Sequence, residues 1–288
     1  MLFVPGQQPT WVPKALRARP DAIILDLEDA VAESAKASAR ESVAASIREY
    51  AHNDEGVDIW VRPNSLESPN VGFDLAAAIQ PGLTGLVLPK LSSRDDVVRY
   101  DALTTHFELK NGVQAGTIEF VASLETAQGM ARCEEIASAP RVVCLIGATA
   151  RDADTGRALK FRWSLEGLET LYIRSRILLA ARAAGHQYAV CGMWQDIHDL
   201  DGLRTFANLQ RDLGYDGQTL IHPSHVAPVH EVYTPSAEEI EFYQGMIDAF
   251  EQAAATGAGS VDYRGQHIDT AHMQTARAIV ASAGRARH

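Results

Sequence analysis

Ala22-Ile23-Ile24-Leu25-Asp26-Leu27-Glu28-Asp29 decides the fold: an apolar, β-prone run that stops abruptly in three carboxylates. The same pattern recurs along the chain. Val57–Val61 gives way to Arg62 and Asn64, Leu86–Leu88 to Lys90, and Ile118–Leu124 to Glu125. Val142–Ile146 is followed by Asp152 and Asp154, and Thr219–Ile221 by His222. A polar group ending a β-rich run marks the point where a parallel barrel strand passes into its loop. In (β/α)8 barrels the catalytic groups gather on that face.

Working outward, strands are expected at 2–4, 22–25, 57–61, 84–88, 118–124, 141–146, 187–190 and 218–221. Helical patterns lie between them at 11–17, 34–49, 93–108, 127–137 and 165–184, the last closed by Gly185 as a C-cap. This alternation predicts an α/β fold, a (β/α)8 TIM barrel over residues 1–235. The connection after the sixth strand, 147–164, is long, and long connections in compact domains are often functional. Residues 236–288 exceed what a barrel needs. Ser236 and Glu239 form a capping-box pair at the start of a helix over 236–254. A Gly/Ala/Ser hinge, a β-like stretch at 261–268 and a helix at 272–283 follow. This C-terminal extension is expected to reach a neighbouring subunit.

The 288 residues are 46% hydrophobic, enough for a large core, and carry a net charge of −11, which argues against nucleic-acid binding. Three cysteines (Cys133, Cys144, Cys191) with no CxxC or Cys/His zinc spacing fit core thiols in a reducing cytoplasm. No stretch approaches the roughly 18–20 apolar residues of a membrane span. Met1-Leu2-Phe3-Val4 lacks the basic and apolar regions of a secretory signal. Walker, GxGxxG and GxSxG motifs are absent.

The residues alone leave the chemistry open. Glu125 with Asp152 or Asp154 could hold Mg²⁺, which prefers oxygen ligands and keeps several waters; equally, these carboxylates could cap helices. Arg62 could clamp a substrate carboxylate or oxyanion, or pair with Asp26 or Glu28. Three carboxylates in Asp26-Leu27-Glu28-Asp29 repel one another unless cations lie close, and Arg62 and Lys90 are suitable. Most of this cluster reads as scaffolding around one ligand-facing group. His222 reads as structural, holding the eighth-strand turn.

An ordered series of short motifs narrows the choice. Leu2-Phe3-Val4-Pro5-Gly6, Ile24-Leu25-Asp26-Leu27-Glu28-Asp29-Ala30-Val31, Val61-Arg62-Pro63-Asn64, Leu88-Pro89-Lys90 and Leu124-Glu125-Thr126-Ala127 come first. Ile221-His222-Pro223, Thr234-Pro235-Ser236 and Ile268-Asp269 follow. Over nearly its whole length the chain resembles the citrate lyase beta subunit-like branch of the HpcH/HpaI aldolase family, barrels of the phosphoenolpyruvate/pyruvate superfamily.

The resemblance implies a Mg²⁺-dependent carbon–carbon lyase. Its substrate would be a 3-hydroxyacyl thioester of coenzyme A or an acyl-carrier protein, cleaved to an acyl thioester and a 2-oxoacid. It implies substrate binding by Arg62 and Glu125, with Asp26 and Lys90 beside them, and Mg²⁺ on Glu125 and an aspartate after strand six. It also implies acid–base work by Asp269 from a neighbouring subunit of a homotrimer or hexamer. Thioester hydrolysis on the same site and a non-catalytic binding subunit are the alternatives.

Three positions depart from the family pattern. Gly147-Ala148-Thr149-Ala150 stands where Gly-Ala-Glu-Asp is usual, so Ala150 would replace the metal ligand unless a two-residue bulge brings in Asp152, with Asp154 as fallback. Only Met1 precedes the opening strand, so the arginine and serine contacts to coenzyme A that the resemblance implies are not expected from this stretch. Asp269 is followed by Thr270-Ala271-His272 and not by proline.

Overall fold

A computed structural model describes residues 1–147, 150–151 and 153–285, the side chains of 283–285 excepted. Eight parallel strands run in sequence order: β1 (Leu2–Pro5), β2 (Ala22–Asp26), β3 (Asp58–Arg62), β4 (Gly85–Leu88), β5 (Glu119–Leu124), β6 (Val142–Gly147), β7 (Tyr188–Cys191) and β8 (Gly217–Gln218). Beyond β8, Leu220 bridges back to β1. The Phe3 N–H donates to the Leu220 carbonyl at 2.8 Å, and the Leu220 N–H to the Met1 carbonyl at 2.8 Å. The sheet therefore curls into the expected barrel. Its eighth strand is shorter than the apolar pattern at 218–221 predicts.

The helices of this part are α1 (Val12–Arg17), α2 (Lys36–Tyr50), α3 (Val71–Ala78), α4 (Arg94–Asn111), α5 (Ala127–Ala131), α6 (Cys133–Ala137), α7 (Asp154–Leu159), α8 (Leu168–Ala183), α9 (Leu200–Leu213) and α10 (Val226–Tyr233). Ser93 and Asp96 close a capping box at the start of α4, and Gly112 at φ 71° ends it. The pattern over 127–137 divides into α5 and α6 at Arg132. The long sixth connection contains α7, which the sequence reading missed.

Strands alternate their side chains, and one set fills the barrel. Ile24, Trp60, Val87, Val121, Ile146 and Val190 form a buried cluster, with Phe3 packed against it. Gly6 lets β1 end against β2: a Cβ there would lie 2.7 Å from the Asp26 carbonyl, which accepts the Gly6 N–H. All three cysteines are free and buried, and burial pushes the Cys144 thiol up to about 12. No helix among the described residues is long and apolar enough to cross a membrane.

The chain divides into two compact units, Met1–Val229 and His230–His288. The second contains α11 (Ala237–Ala255), an antiparallel hairpin of β9 (Ser260–Tyr263) and β10 (Gln266–Asp269), and α12 (Thr270–Arg285). Its own core joins Met246, Ile247, Ile268, Met273 and Ala276. Ser236 and Glu239 make the expected capping box.

Glu108 of α4 is fully buried. Its carboxylate accepts from Arg141 at 2.7 and 2.8 Å and from the Gly116 and Ile118 N–H groups at 2.9 Å. Burial raises the pKa of this acid, but the Arg141 and backbone donors outweigh it and hold the group below its ordinary value. A depressed carboxyl adds stability that is complete above its unfolded pKa and is lost as pH falls through its folded one. Glu108→Gln turns an amide N–H toward these donors. It is expected to cost about 3 kcal/mol at pH 7 and to flatten the acid limb of the stability curve, read by urea unfolding across pH 3 to 7.

Candidate active site

The end of β2 turns because Asp26 satisfies the backbone that follows it. Its two oxygens accept from the Glu28 N–H at 2.9 Å and the Ala30 N–H at 3.2 Å. The same oxygens take a two-pronged hydrogen bond from Arg62 at the end of β3, Nε at 2.8 Å and Nη2 at 2.7 Å. Asp26 pairs with Arg62 in the β2–β3 register, so neighbouring strands deliver the partners side by side. Burial alone would raise the Asp26 pKa; Arg62 and the two backbone donors reverse that and hold it low. Arg62 lies over the Phe3 ring at 4.8 Å.

Glu28 is also buried. Arg62 Nη1 lies 3.3 Å away and Lys90 Nζ 2.7 Å, and both pull its pKa down, against burial and the charge of Asp29. Burial wins, and its carboxyl is held above the ordinary value. Lys90 reaches Asp29 as well, at 3.0 Å. Below this layer the buried Lys36 ammonium binds the Leu27 and Glu28 carbonyls and Asn64. Asn64 donates in turn to the Leu27 carbonyl and to the buried Asp74. Lys36 and Asp74 hold the motif in place, and neither was singled out in the sequence. A lysine on a helix carries no local sign that its head will be buried.

Glu125 follows β5 and is 7% exposed. It does not cap α5: Thr126 does, accepting the Gly129 N–H at 2.9 Å. Among the described residues Glu125 accepts one hydrogen bond, from the Lys90 N–H at 3.3 Å, and forms no ion pair. Lys90 presents that N–H from a left-handed backbone at φ 51°. Burial, then Glu28, push the Glu125 carboxyl up against the pull of Arg62.

A cavity of about 200 Å³ opens at this end of the barrel. Arg62 and Glu125 line it, as do Asp29, Asp154 and Ala150. Asp154 opens α7 and touches Arg157. Asp152 lies outside the described residues. Asp26 and Lys90 do not line the cavity; they hold Arg62, Glu28 and Glu125, and Asp29 is the carboxylate of the β2 motif that reaches the ligand space. Arg62 pairs with Asp26 and Glu28 and also lines the cavity. Asp269, in the second unit, accepts from the Ala271 N–H at 2.9 Å and pairs with His272 Nδ1 at 2.8 Å. The His272 hydrogen bond, more than the backbone one, lowers its pKa. His222 is structural as expected, its ring accepting the Ser224 N–H. The sequence reading passed over Phe3, Ile146, Met193 and Thr219, which also line the cavity.

Residues 1–223 match the profile of the HpcH/HpaI aldolase/citrate lyase family. The chain belongs to this family. It is 34% identical over 280 residues to citrate lyase subunit beta of Haemophilus influenzae, covering 97% of this chain and 94% of that one. It is 33% identical over 285 residues to (3S)-malyl-CoA thioesterase of Cereibacter sphaeroides, covering 98% and 93%. The fold matches protein CitE of Mycobacterium tuberculosis, solved with magnesium, acetoacetate and coenzyme A, with a TM-score of 0.77 and 28% identity over 98% of this chain and 97% of that one.

Arg62→Lys keeps the charge but loses the fork that grips Asp26. Activity should fall about 100-fold or more, and the urea midpoint should drop with it. Near-normal values of both would show that the two-pronged geometry is dispensable.

Proposed function

We propose that this chain is a Mg²⁺-dependent carbon–carbon lyase that cleaves a 3-hydroxyacyl thioester, on coenzyme A or an acyl-carrier protein, into an acyl thioester and a 2-oxoacid. Family membership supports the reaction class. The observation that carries it to named residues is Glu125, a buried carboxylate on the cavity wall with a raised pKa and, among the described residues, no ion-pair partner of its own. Such a group calls for a cation. Asp154 offers a second oxygen donor to the same space.

The described residues bring together no group of three His, Cys, Asp or Glu side chains that could hold a metal. Mg²⁺ suits that economy, because it takes one or two carboxylates and completes its shell with water and substrate. The residues present therefore fit the ion, with Glu125 as one ligand and Asp152 as the second, Asp154 being the alternative. Bound there, Mg²⁺ supplies a Lewis acid for the carboxylate and adjacent oxygen of the oxoacid half.

This chain's own residues do the rest. Of the five N–H donors of Arg62, two serve Asp26 and one faces Glu28, which leaves donors for an oxygen in the cavity. Those donors stabilise the 3-oxygen as its hydroxyl gives up its proton to solvent; when the C2–C3 bond breaks, this oxygen becomes the oxoacid carbonyl and the electron pair passes to the acyl thioester half, whose C2 is then protonated. Asp26, Glu28 and Lys90 fix the guanidinium and the Glu125 carboxylate in place. Asp269, supplied by the second unit of a neighbouring copy in a homotrimer or hexamer, is the proton-transfer group for the acyl half. Hydrogen bonding to His272 keeps it ionised. The buried free thiols suit a cytoplasmic location.

The thioesterase relatives support a second reading, in which the same site hydrolyses a malyl-type thioester. Products separate the two: cleavage releases an oxoacid, hydrolysis a free hydroxyacid.

Glu125→Gln is expected to lower Mg²⁺-dependent oxoacid release on the order of 10³-fold. A carboxyl with a raised folded pKa contributes stability that is present below its unfolded pKa and is lost as pH rises through the folded value. The metal-free protein should therefore lose stability as pH rises above about 4.5, and Mg²⁺ should restore it increasingly over the same range. The Mg²⁺-induced shift in thermal midpoint, measured from pH 4.5 to 7.5, should grow in the wild type and vanish in E125Q. A full shift in E125Q would remove Glu125 from the metal site.

A further inference from the structure

We infer that the oxoacid half of the substrate carries a single carboxylate and a small neutral substituent, received by Ile146, Ala150 and Met193. This inference rests on the lyase reading above. Size does not make the choice. A cavity of about 200 Å³ accepts a four-carbon oxoacid as readily as a three-carbon one.

Charge makes it. Among the described residues that line the cavity, three are carboxylates (Asp29, Glu125, Asp154) and one, Arg62, is a cation. Arg62 already neutralises Asp26 and Glu28. Among the described residues, no other cation lines the cavity, and the neighbouring ones are turned to other partners: Lys90 lies between Glu28 and Asp29, Arg157 on Asp154, and Arg151 over the Trp163 ring at 5.6 Å. The strand-six loop residues outside the described set, Ala148, Thr149 and Asp152, bring no cation by sequence.

The first carboxylate of an oxoacid is met by the metal and Arg62. With Glu125 on the metal, a second carboxylate would enter beside Asp29 and Asp154 with only neutral donors to receive it, which is the costly case for a desolvated ion. A hydrogen or a methyl group in the same place meets the Ile146, Ala150 and Met193 side chains instead.

The test uses the full chain with Mg²⁺. It compares kcat/KM for malyl-, citramalyl- and citryl-CoA, and calorimetric binding of pyruvate and of oxaloacetate. The citryl thioester should be cleaved at least about 100-fold less efficiently than the better of the other two, and oxaloacetate should bind more weakly than pyruvate. Met193→Lys, whose unbranched stem follows that of methionine, should narrow the gap about tenfold, while Met193→Leu should preserve it. Equal or preferred cleavage of citryl-CoA, or equal binding of oxaloacetate, overturns this inference and leaves the lyase reading standing. Failure to cleave any of the three, with neither oxoacid bound, overturns both. The wild-type comparison decides the matter even if M193K does not fold.

Discussion

The buried pair between Asp26 and Arg62 is the constraint on which the site depends. Removing either partner would strand a charge in the barrel mouth, which is costlier than never having buried the pair. The pair tolerates its position because the Asp26 oxygens are fully met and Arg62 is held on two sides. Asp26 accepts two backbone N–H groups and two guanidinium donors, and Arg62 also faces Glu28 and rests on Phe3. The register of β2 against β3 sets the two residues opposite each other, so the sheet itself delivers the geometry. Lys36 and Asn64 then fix the carbonyls of Leu27 and Glu28 from below.

Against that background the two buried carboxylates Asp26 and Glu125 behave in opposite ways. Both feel the same penalty of burial. Asp26 has a full set of donors, so it is a strong acid and a structural anion. Among the described residues Glu125 has one long hydrogen bond from Lys90, so burial and then the repulsion of Glu28 prevail and leave it a weak acid and an unfinished site. A fold that satisfies one carboxylate completely and leaves its neighbour wanting has separated support from chemistry. The unfinished group is the one on the cavity wall.

Much of this was legible in the sequence because a strand end is a local event. The apolar runs ending in Asp26, Arg62, Lys90 and Glu125 placed four barrel strands and named the groups at their mouths. What sequence could not place was contact between distant elements. Lys36 is drawn inward by carbonyls of a loop that precedes its helix, and Phe3 becomes a platform only once the barrel curls. For the same reason Asp26 and Lys90 read as ligand-facing, although their partners turn them into supports, and Asp29 carries the exposure instead. Helix α7 was missed because six residues, with a glycine among them, give too short a period to stand out from a loop.

The barrel mouth is built in two materials. On the β1–β5 side, ion pairs and hydrogen bonds fix Arg62, and the Lys90 N–H reaches Glu125. On the β6–β8 side the loops are held by rings: Arg151 lies over Trp163, Trp163 meets Trp194 at 5.7 Å, and Trp194 meets Phe206 of α9 at 5.9 Å. Tilted ring contacts of this kind tolerate sliding and substitution better than directional hydrogen bonds do, since dispersion has no preferred axis. Changes in substrate shape can therefore be accommodated through Ile146, Ala150 and Met193 on the second side without disturbing the charge network on the first. A metal-ligand motif can depart from the family pattern after strand six while the Asp26–Arg62 pair stays fixed for the same physical reason. The first side is held by a dense charge network, and the second adds ring contacts to its own hydrogen bonds.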